Sequence, residues 1–267
     1  AVALDREGRV LRRGRVRSPM RAELPQALAR LIRAWRVEPR AIVLGSTGLG
    51  RAADRRRLEK ALRRLAPRVR ALTDLELAWR AALGGPGATY CARHGLRGER
   101  PEARPGVLII AGTGSLAAGR DRRGRRARVG GLGPLLGDEG SAFWIGREWL
   151  RERPQAEALA HAHRLRPQAA VASLAPRVLR LAQGRGPESR RAKRIVASAQ
   201  GALAVQARAC ASLLSFRGRI PVSWHGGLME DARFRAGVLR RLGARFEARA
   251  PASTPERAAA LAALRLS

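Results

Sequence analysis

The first third of the chain alternates between short apolar runs and amphipathic helical patterns. Apolar and polar residues alternate over residues 1–17 on both sides of Glu7-Gly8, which predicts a β-hairpin. The elements predicted after it are a helix over 23–37, a strand over 41–44, a helix over 52–65, a strand over 69–72 and a helix from Leu75. Strands that alternate with helices in this way are typical of an α/β lobe with a partly parallel sheet.

A second series of elements follows a proline-containing polar loop that ends near Gly106. The predicted strands cover 107–111, 116–119 and 220–223, with a further short strand before the last helix. The predicted helices cover 142–151, 155–165, 170–181, 195–214, 234–242 and 255–266. We therefore predict an α/β protein of two domains. The N-terminal lobe is residues 1–105. The C-terminal lobe is residues 106–267 with a helical insertion, and its final helix is a candidate to pack back on the N-terminal lobe.

Composition limits the classes of protein. With 45% hydrophobic residues in 267, the chain can bury a core, and no apolar run reaches the roughly 20 residues that span a bilayer. No charged-then-apolar leader is present, so we expect a cytoplasmic protein without membrane partners. The formal charge of +33 comes from 54 Lys and Arg, of which only Lys60 and Lys193 are lysine. These arginines are spread along the chain without aromatic platforms, so we do not expect a nucleic-acid partner.

Small residues follow the apolar strand 107–111. Gly112, Thr113, Gly114 and Ser115 have the size that lets backbone amides approach a phosphate, and two of them carry hydroxyls. A tight hairpin turn without a ligand uses similar residues, so this tetrapeptide alone leaves both interpretations open.

A glycine-rich stretch over 130–141 precedes the predicted helix 142–151, and it contains two acids, Asp138 and Glu139. Buried carboxylates need partners, which sugar hydroxyls, a metal or loop amides would supply. The alternative is that Asp138 or Ser141 only caps the helix.

Three segments resemble the successive motifs of one family: LIIAGTGS, GGLGPLLGDEGSAFWIG and VSWHGGLME. They are similar to the N-acetylglucosamine kinase-like, BadF-BadG-BcrA-BcrD ATPase family. Sugar kinases, actins and heat-shock chaperone ATPases form its superfamily. The resemblance implies two ribonuclease H-like lobes, as in actin-like ATPases, with a nucleotide cleft between them. It also implies ATP and Mg²⁺ as cofactors and a homodimer.

The resemblance assigns nucleotide-binding roles to two glycine motifs. It implies that Gly112, Thr113, Gly114 and Ser115 form the second phosphate-binding hairpin, and that Gly226 and Gly227 form the adenosine motif. His225, just before the second motif, is either a nucleotide contact or an ordinary half-exposed histidine.

Asp74 is the catalytic residue that the resemblance implies. It follows a predicted strand in LTDLELAW, where the family's aspartate accepts the proton of the attacking sugar hydroxyl. Thr73 is implied to help hold the substrate. The alternative for Asp74 is that it caps the helix from Leu75. The alternative for Thr73 is that it is an ordinary residue at a strand end.

The same resemblance implies that the substrate binds at the glycine-rich stretch. Asp138 is implied to bind sugar hydroxyls, Gly131 and Ala142 to line the pocket, and Glu139 to support the loop. We predict no metal-ligand set, and we interpret Cys91 and Cys210 as ordinary thiols because the cysteine loops of the iron–sulfur relatives are missing. The family's first phosphate hairpin has no counterpart after Ala1, so we expect it to be truncated or lost.

The function expected from these residues is ATP-dependent phosphorylation of an amino sugar of the glucosamine or N-acetylglucosamine class, by in-line transfer to a hydroxyl. Two alternatives stay open: a partner-coupled ATPase of the activator type, and a catalytically silent protein that binds a sugar or nucleotide.

Overall fold

The computed structural model describes residues 1–14, 21–84 and 104–266. The chain divides into two compact units: residues 1–104 with 251–267, and residues 105–250. Cys91 lies outside the described residues, as does most of the loop predicted to separate the lobes.

The first unit begins with the predicted hairpin and continues as a strand–helix–strand unit. Its elements are β1 (Val2–Leu4), β2 (Val10–Arg13), α1 (Leu24–Trp35), β3 (Ala41–Ser46), α2 (Ala52–Leu62), β4 (Arg68–Thr73) and α3 (Asp74–Leu83). β1 and β2 pair antiparallel, and β3 and β4 pair parallel with Ala41 opposite Arg68. Because α2 connects two parallel neighbours, it covers the sheet, and its Leu58 and Leu62 are buried there.

The second unit is built on a mixed sheet of five strands. Its elements are β5 (Gly106–Ala111), β6 (Ser115–Arg120), β7 (Arg126–Gly130), α4 (Ala142–Leu150), α5 (Gln155–Ala162), α6 (Pro167–Ala172), α7 (Ala175–Leu181), α8 (Pro187–Ser212), β8 (Ile220–His225), α9 (Gly227–Glu230), α10 (Ala232–Leu242) and β9 (Phe246–Ala248). The strand order is β7-β6-β5-β8-β9. β5 pairs antiparallel with β6 and parallel with β8, so β5 and β8 end at the same edge of the sheet.

A large apolar core supports this sheet. The inner strands contribute Val107, Ile109 and Val222, and α8 contributes Leu203 and Ala207, all of them fully buried or nearly so. Each Å² of apolar surface removed from water contributes about 25 cal/mol of free energy, so this cluster is the main stabilising contribution in the unit. The last helix, α11 (Pro255–Leu264), belongs to the first unit, where Ala259 packs with Leu72 and Leu77.

The α/β fold class is confirmed, and three local predictions are corrected. The predicted helix 170–181 is two helices, because α7 starts anew at Ala175 with Pro176, whose ring has no N–H to donate, in its first turn. The helix predicted from residue 195 begins at Pro187; its polar first turns hid its periodicity. Strand β7 was not predicted, because its five residues hold only two apolar side chains, Ala127 and Val129, beside exposed Arg126 and Arg128.

None of the helices in the described ranges has both the length and the apolar character that crossing a membrane requires.

Candidate functional site

The glycine-rich hairpin joins β5 to β6 at the end of the central strand. Ala111 and Ser115 are the last paired residues, and residues 112–114 form the tip, closed by a hydrogen bond from the Gly112 amide to the Gly114 carbonyl at 3.0 Å. Gly112 has open space where a side chain would be. Within the described part of the chain, no hydrogen bond uses the Thr113 hydroxyl or the amides of Thr113 and Gly114. These are three donors at an exposed turn.

The hairpin is fastened to the start of α4. The amide of Ala142 donates to the Gly112 carbonyl at 2.8 Å, and the amide of Phe143 donates to the Thr113 carbonyl at 3.2 Å. The next amide, that of Trp144, donates to the hydroxyl of Ser141, the N-cap residue, at 3.1 Å. The first amides of α4 are therefore satisfied within the protein, and the hairpin amides, not the helix end, are left to bind an anion.

Asp138 lies directly beneath the hairpin. It is 4% exposed, and its Oδ1 accepts a hydrogen bond from the Ser115 amide at 3.1 Å. A Cβ on Gly114 would lie 2.8 Å from Oδ1, so only glycine fits there without displacing the carboxylate. Asp138 adopts a left-handed backbone (φ 64°), a conformation that aspartate tolerates better than most residues. Of the two residues that could cap α4, Ser141 does so and Asp138 holds the hairpin.

Two side chains hold the neighbouring carbonyl of Glu139 in place. The Ser115 hydroxyl donates to it at 2.7 Å, and Gln206 Nε2 on α8 donates to it at 3.1 Å. Sequence reasoning did not identify Gln206. Its signal is a glutamine on the face of α8 that also carries the buried Leu203 and Ala207. The Glu139 side chain is exposed, and its backbone is what joins the loop to the sheet and α8.

The second glycine motif lies against the first. Gly226 follows β8 with φ 104°, and a Cβ there would lie 2.4 Å from the Ala111 carbonyl oxygen and 3.0 Å from the Gly112 nitrogen. Gly227 is exposed, with open space at its Cβ position. Two motifs more than a hundred residues apart therefore meet at one edge of the sheet, because parallel β5 and β8 both end there.

The remaining predicted residues of this unit lie nearby in different surroundings. Gly131 follows β7 with φ 69°, where its carbonyl accepts a hydrogen bond from Arg128 at 2.8 Å and a Cβ would collide with the Arg128 guanidinium. His225 is half-buried at the last position of β8, in register with Ile110. The Ala142 backbone is bonded to the hairpin, as described above.

Asp74 and Thr73 belong to the first unit, at the junction of β4 and α3. Thr73 is the N-cap: its hydroxyl accepts from the Glu76 amide at 3.1 Å, and the Glu76 carboxylate accepts from the Thr73 amide at 2.7 Å. This reciprocal pair is a capping box. Asp74 is the first helical residue. Within the described residues, its exposed carboxylate accepts a hydrogen bond only from the adjacent Leu75 amide, at 2.9 Å. Capping of α3 is thus the role of Thr73, not of Asp74.

The thiol of Cys210 is unsuited to ligate a cluster. It is fully buried on α8, its Sγ lies 3.6 Å from the Ala127 carbonyl oxygen, and burial raises its pKa to about 12. In the described ranges, no group of three His, Cys, Asp or Glu side chains is arranged to hold a metal ion. A magnesium ion that enters with a nucleotide needs only one or two protein carboxylates besides the phosphates.

Comparison with known proteins gives a consistent result. A model of the BadF/BadG/BcrA/BcrD ATPase family matches residues 1–262. The N-acetylmuramic acid/N-acetylglucosamine kinase of Clostridium acetobutylicum is 33% identical over 108 residues, which is 40% of this chain and 29% of that protein. The N-acetyl-D-glucosamine kinase of Dictyostelium discoideum is 54% identical over 46 residues, 17% of this chain and 14% of that protein. The matched segments thus span less than a third of either curated relative.

A solved structure from Porphyromonas gingivalis, provisionally named N-acetylglucosamine kinase, aligns with 96% of this chain and 92% of its own length. The TM-score is 0.69 at 20% identity, so this likeness concerns the fold. It supports the α/β fold class expected from the sequence.

Proposed function

This chain belongs to the BadF/BadG/BcrA/BcrD ATPase family, and on that premise we propose that it phosphorylates an amino sugar of the glucosamine or N-acetylglucosamine class with ATP and Mg²⁺. The names of the two kinase relatives support this substrate class. The observation that carries the proposal is the packing of Gly226 against the hairpin at residues 112–115, with Asp138 beneath it.

The hairpin is suited to a nucleotide's phosphates. Its tip presents two amides and one hydroxyl, and Asp138 and the first turn of α4 fix its backbone. Donors held in position before the ligand arrives stabilise the charge of a transferring phosphoryl group without reorganising. The open backbone at Gly227 leaves room for an adenosine without displacing side chains, and the close approach at Gly226 keeps that backbone next to the hairpin.

Asp74 is our proposed proton acceptor. Its carboxylate is exposed, and the N-cap of α3 is Thr73 rather than Asp74. The Asp74 carboxylate is therefore available to orient a sugar hydroxyl and accept the hydroxyl proton. Thr73 is proposed to contact the substrate through the backbone, since its hydroxyl is engaged with Glu76.

Asp138 is proposed to connect the two ligands. One oxygen holds the Ser115 amide, and the carboxylate has a second oxygen with which to accept bonds from sugar hydroxyls. Gly131 and Ala142 are proposed to line the sugar pocket by backbone and small side chains.

The test is ADP release from ATP and Mg²⁺, measured with glucosamine, N-acetylglucosamine, N-acetylmuramic acid, glucose and no sugar. The protein's N-terminus is established beforehand by mass spectrometry. We expect one amino sugar to stimulate turnover. Equal hydrolysis with and without sugar would instead indicate an activator-type ATPase. Binding of ATP without any turnover would indicate a silent binding protein.

A further inference from the structure

A pocket of about 580 Å³ opens at the edge of the five-stranded sheet opposite the hairpin. Pro105 and Pro221, which adjoin the first residues of β5 and β8, line it, whereas the glycine motifs follow the last residues of the same strands. Each of these strands has six residues, so roughly 20 Å separates the two edges. The pocket is therefore distinct from the proposed nucleotide site.

Arginines dominate the wall of this pocket: Arg122, Arg123, Arg217, Arg219 and Arg249. The only acid in its lining is Glu247, which pairs with Arg249 at 3.3 Å. The side chains of the other four make no hydrogen bond or ion pair with any residue that the structure describes. Four unpaired guanidinium groups around one concavity repel each other, and a bound anion would offset that repulsion.

The loops that carry these four arginines are held in place by one buried carboxylate. Asp121, whose side chain is fully buried, accepts hydrogen bonds from the amides of Arg123 at 2.9 Å and Arg125 at 3.0 Å. It also accepts from Arg125 Nε at 2.9 Å and from the Ser215 amide at 3.2 Å. Asp121 thus joins the β6–β7 turn, which carries Arg122 and Arg123, to the segment between α8 and β8.

This arrangement differs from a solvated arginine face on a helix. Backbone bonds to Asp121 fix both loops, so only the arginine side chains, and not the backbone that carries them, must be ordered when they bind an anion. The volume suits a small molecule, and Phe216 adds a half-buried aromatic side chain to the lining. One guanidinium group can donate two parallel hydrogen bonds to the oxygens of a phosphate. Several guanidinium groups in one pocket therefore favour a ligand with several phosphate oxygens.

We propose that this pocket binds a small molecule that carries two or more phosphate groups. Calorimetric titration with inorganic tripolyphosphate at physiological salt tests it on the whole chain. The triple variant Arg122→Gln, Arg217→Gln, Arg219→Gln should weaken binding at least about tenfold, because each lost guanidinium removes charge-assisted hydrogen bonds. The single variants Arg122→Gln and Arg219→Gln, on separate loops, should each give part of that loss.

The matched control is Arg177→Gln, Arg180→Gln, Arg194→Gln, which removes the same charge from exposed positions on α7 and α8. It should weaken binding less than about threefold, by screened long-range attraction alone. Equal weakening in both triple variants would show general attraction to a basic protein and overturn the proposal. So would unmeasurable binding by the wild type, or binding that neither triple variant affects.

Nucleic acid is the competing occupant, and a single-stranded 20-mer distinguishes it. If the oligonucleotide binds more tightly than tripolyphosphate, and the pocket variant alone loses it, the occupant is a nucleic-acid backbone and the proposal is wrong. Thermal unfolding of each variant verifies that it folds.

Discussion

The amide of Ser115 and the carboxylate of Asp138 form a buried hydrogen bond of 3.1 Å between residues that lie 23 positions apart. This bond fixes the hairpin at 112–115 to the loop before α4. It also places a carboxylate against the Cβ position of Gly114, where no side chain fits. The glycine is therefore required by a neighbour within the protein, whether or not a phosphate binds.

Gly114→Ala tests this contact. The new Cβ would lie 2.8 Å from Asp138 Oδ1, so we expect a loss of about 1–3 kcal/mol in the free energy of unfolding and weaker binding of an ATP analogue. Gly112→Ala is the stability control, because its Cβ would meet open space, and it should change stability by less than about 0.5 kcal/mol. Chemical denaturation measures both, and equal stability of the two variants would contradict the geometry.

Gly226→Ala should disturb the junction of the two glycine motifs. Its Cβ would lie 2.4 Å from the Ala111 carbonyl oxygen, at a φ of 104° that alanine rarely adopts. We expect a loss of about 2 kcal/mol or more in thermal unfolding experiments. Gly227→Ala, with open space at its Cβ position, is the matched variant and should unfold close to wild type. An unchanged melting temperature for Gly226→Ala would show that the hairpin moves freely away from β8.

Substitutions at Asp74 and Thr73 should have different effects, the first on turnover and the second on stability. Asp74→Asn should lower kcat by about 10²–10⁴-fold, because the proposed proton acceptor is lost, while stability changes little at this exposed position. Thr73→Ala should cost about 1 kcal/mol of stability, because it removes the N-cap of α3. Turnover assays paired with denaturation measure both effects. Undiminished turnover in Asp74→Asn would remove this residue from the proposed mechanism.

Asp121 should make the free energy of unfolding depend on pH in the acidic range. Burial by itself would raise its pKa, but the hydrogen bonds from Arg125 and from the amides of Ser215 and Arg125 lower the pKa below the ordinary value of 3.8. A lowered folded pKa stabilises the protein above the unfolded pKa, and this contribution is lost as the pH falls through the folded value. Asp121→Asn should lose about 1–3 kcal/mol at pH 7.

The measurement for Asp121 is the free energy of unfolding of wild type and Asp121→Asn between pH 7 and about 3. The gap between the two proteins should begin to narrow below about pH 4, where the carboxylate of the unfolded chain takes up its proton, and should close as the pH falls through the lowered pKa of the folded protein. Asp5→Asn is a useful comparison, because the pKa of this half-buried carboxyl is also lowered, chiefly by its hydrogen bond with Arg9. A gap for Asp121 that stays constant with pH would show that its charge is not what holds the two loops.

Local patterns were sufficient for most of the fold. Leu58 and Leu62 at helical spacing, and the apolar strands on either side of α2, predict the β3–α2–β4 unit without tertiary information. The errors arose where local signals were weak. The polar start of α8 and the arginine-bearing β7 depend on neighbours for their structure, since packing against the sheet outweighs intrinsic preference.

The candidate site was likewise predicted from the sequence only in part. Small residues after a strand, and an acid in a glycine-rich loop, identify Gly114 and Asp138 as candidates because their chemistry is local. The role of Asp138 as the hydrogen-bond partner of Ser115, rather than as a helix cap, depends on the approach of two segments. Likewise, Thr73 and Asp74 are both credible caps by residue type, and only backbone geometry assigns the cap to Thr73.

The sequence by itself determined most of the strands and helices and the family they belong to, and it named the candidate site residues. Those properties follow from the order and spacing of side chains along the chain. Tertiary structure decided which of them meet: Gly226 against Ala111, Gln206 beneath Glu139, and Asp121 between two arginine-bearing loops. Such contacts join residues far apart in sequence, and they exist only because parallel strands, a long helix and a close-packed core bring their ends together.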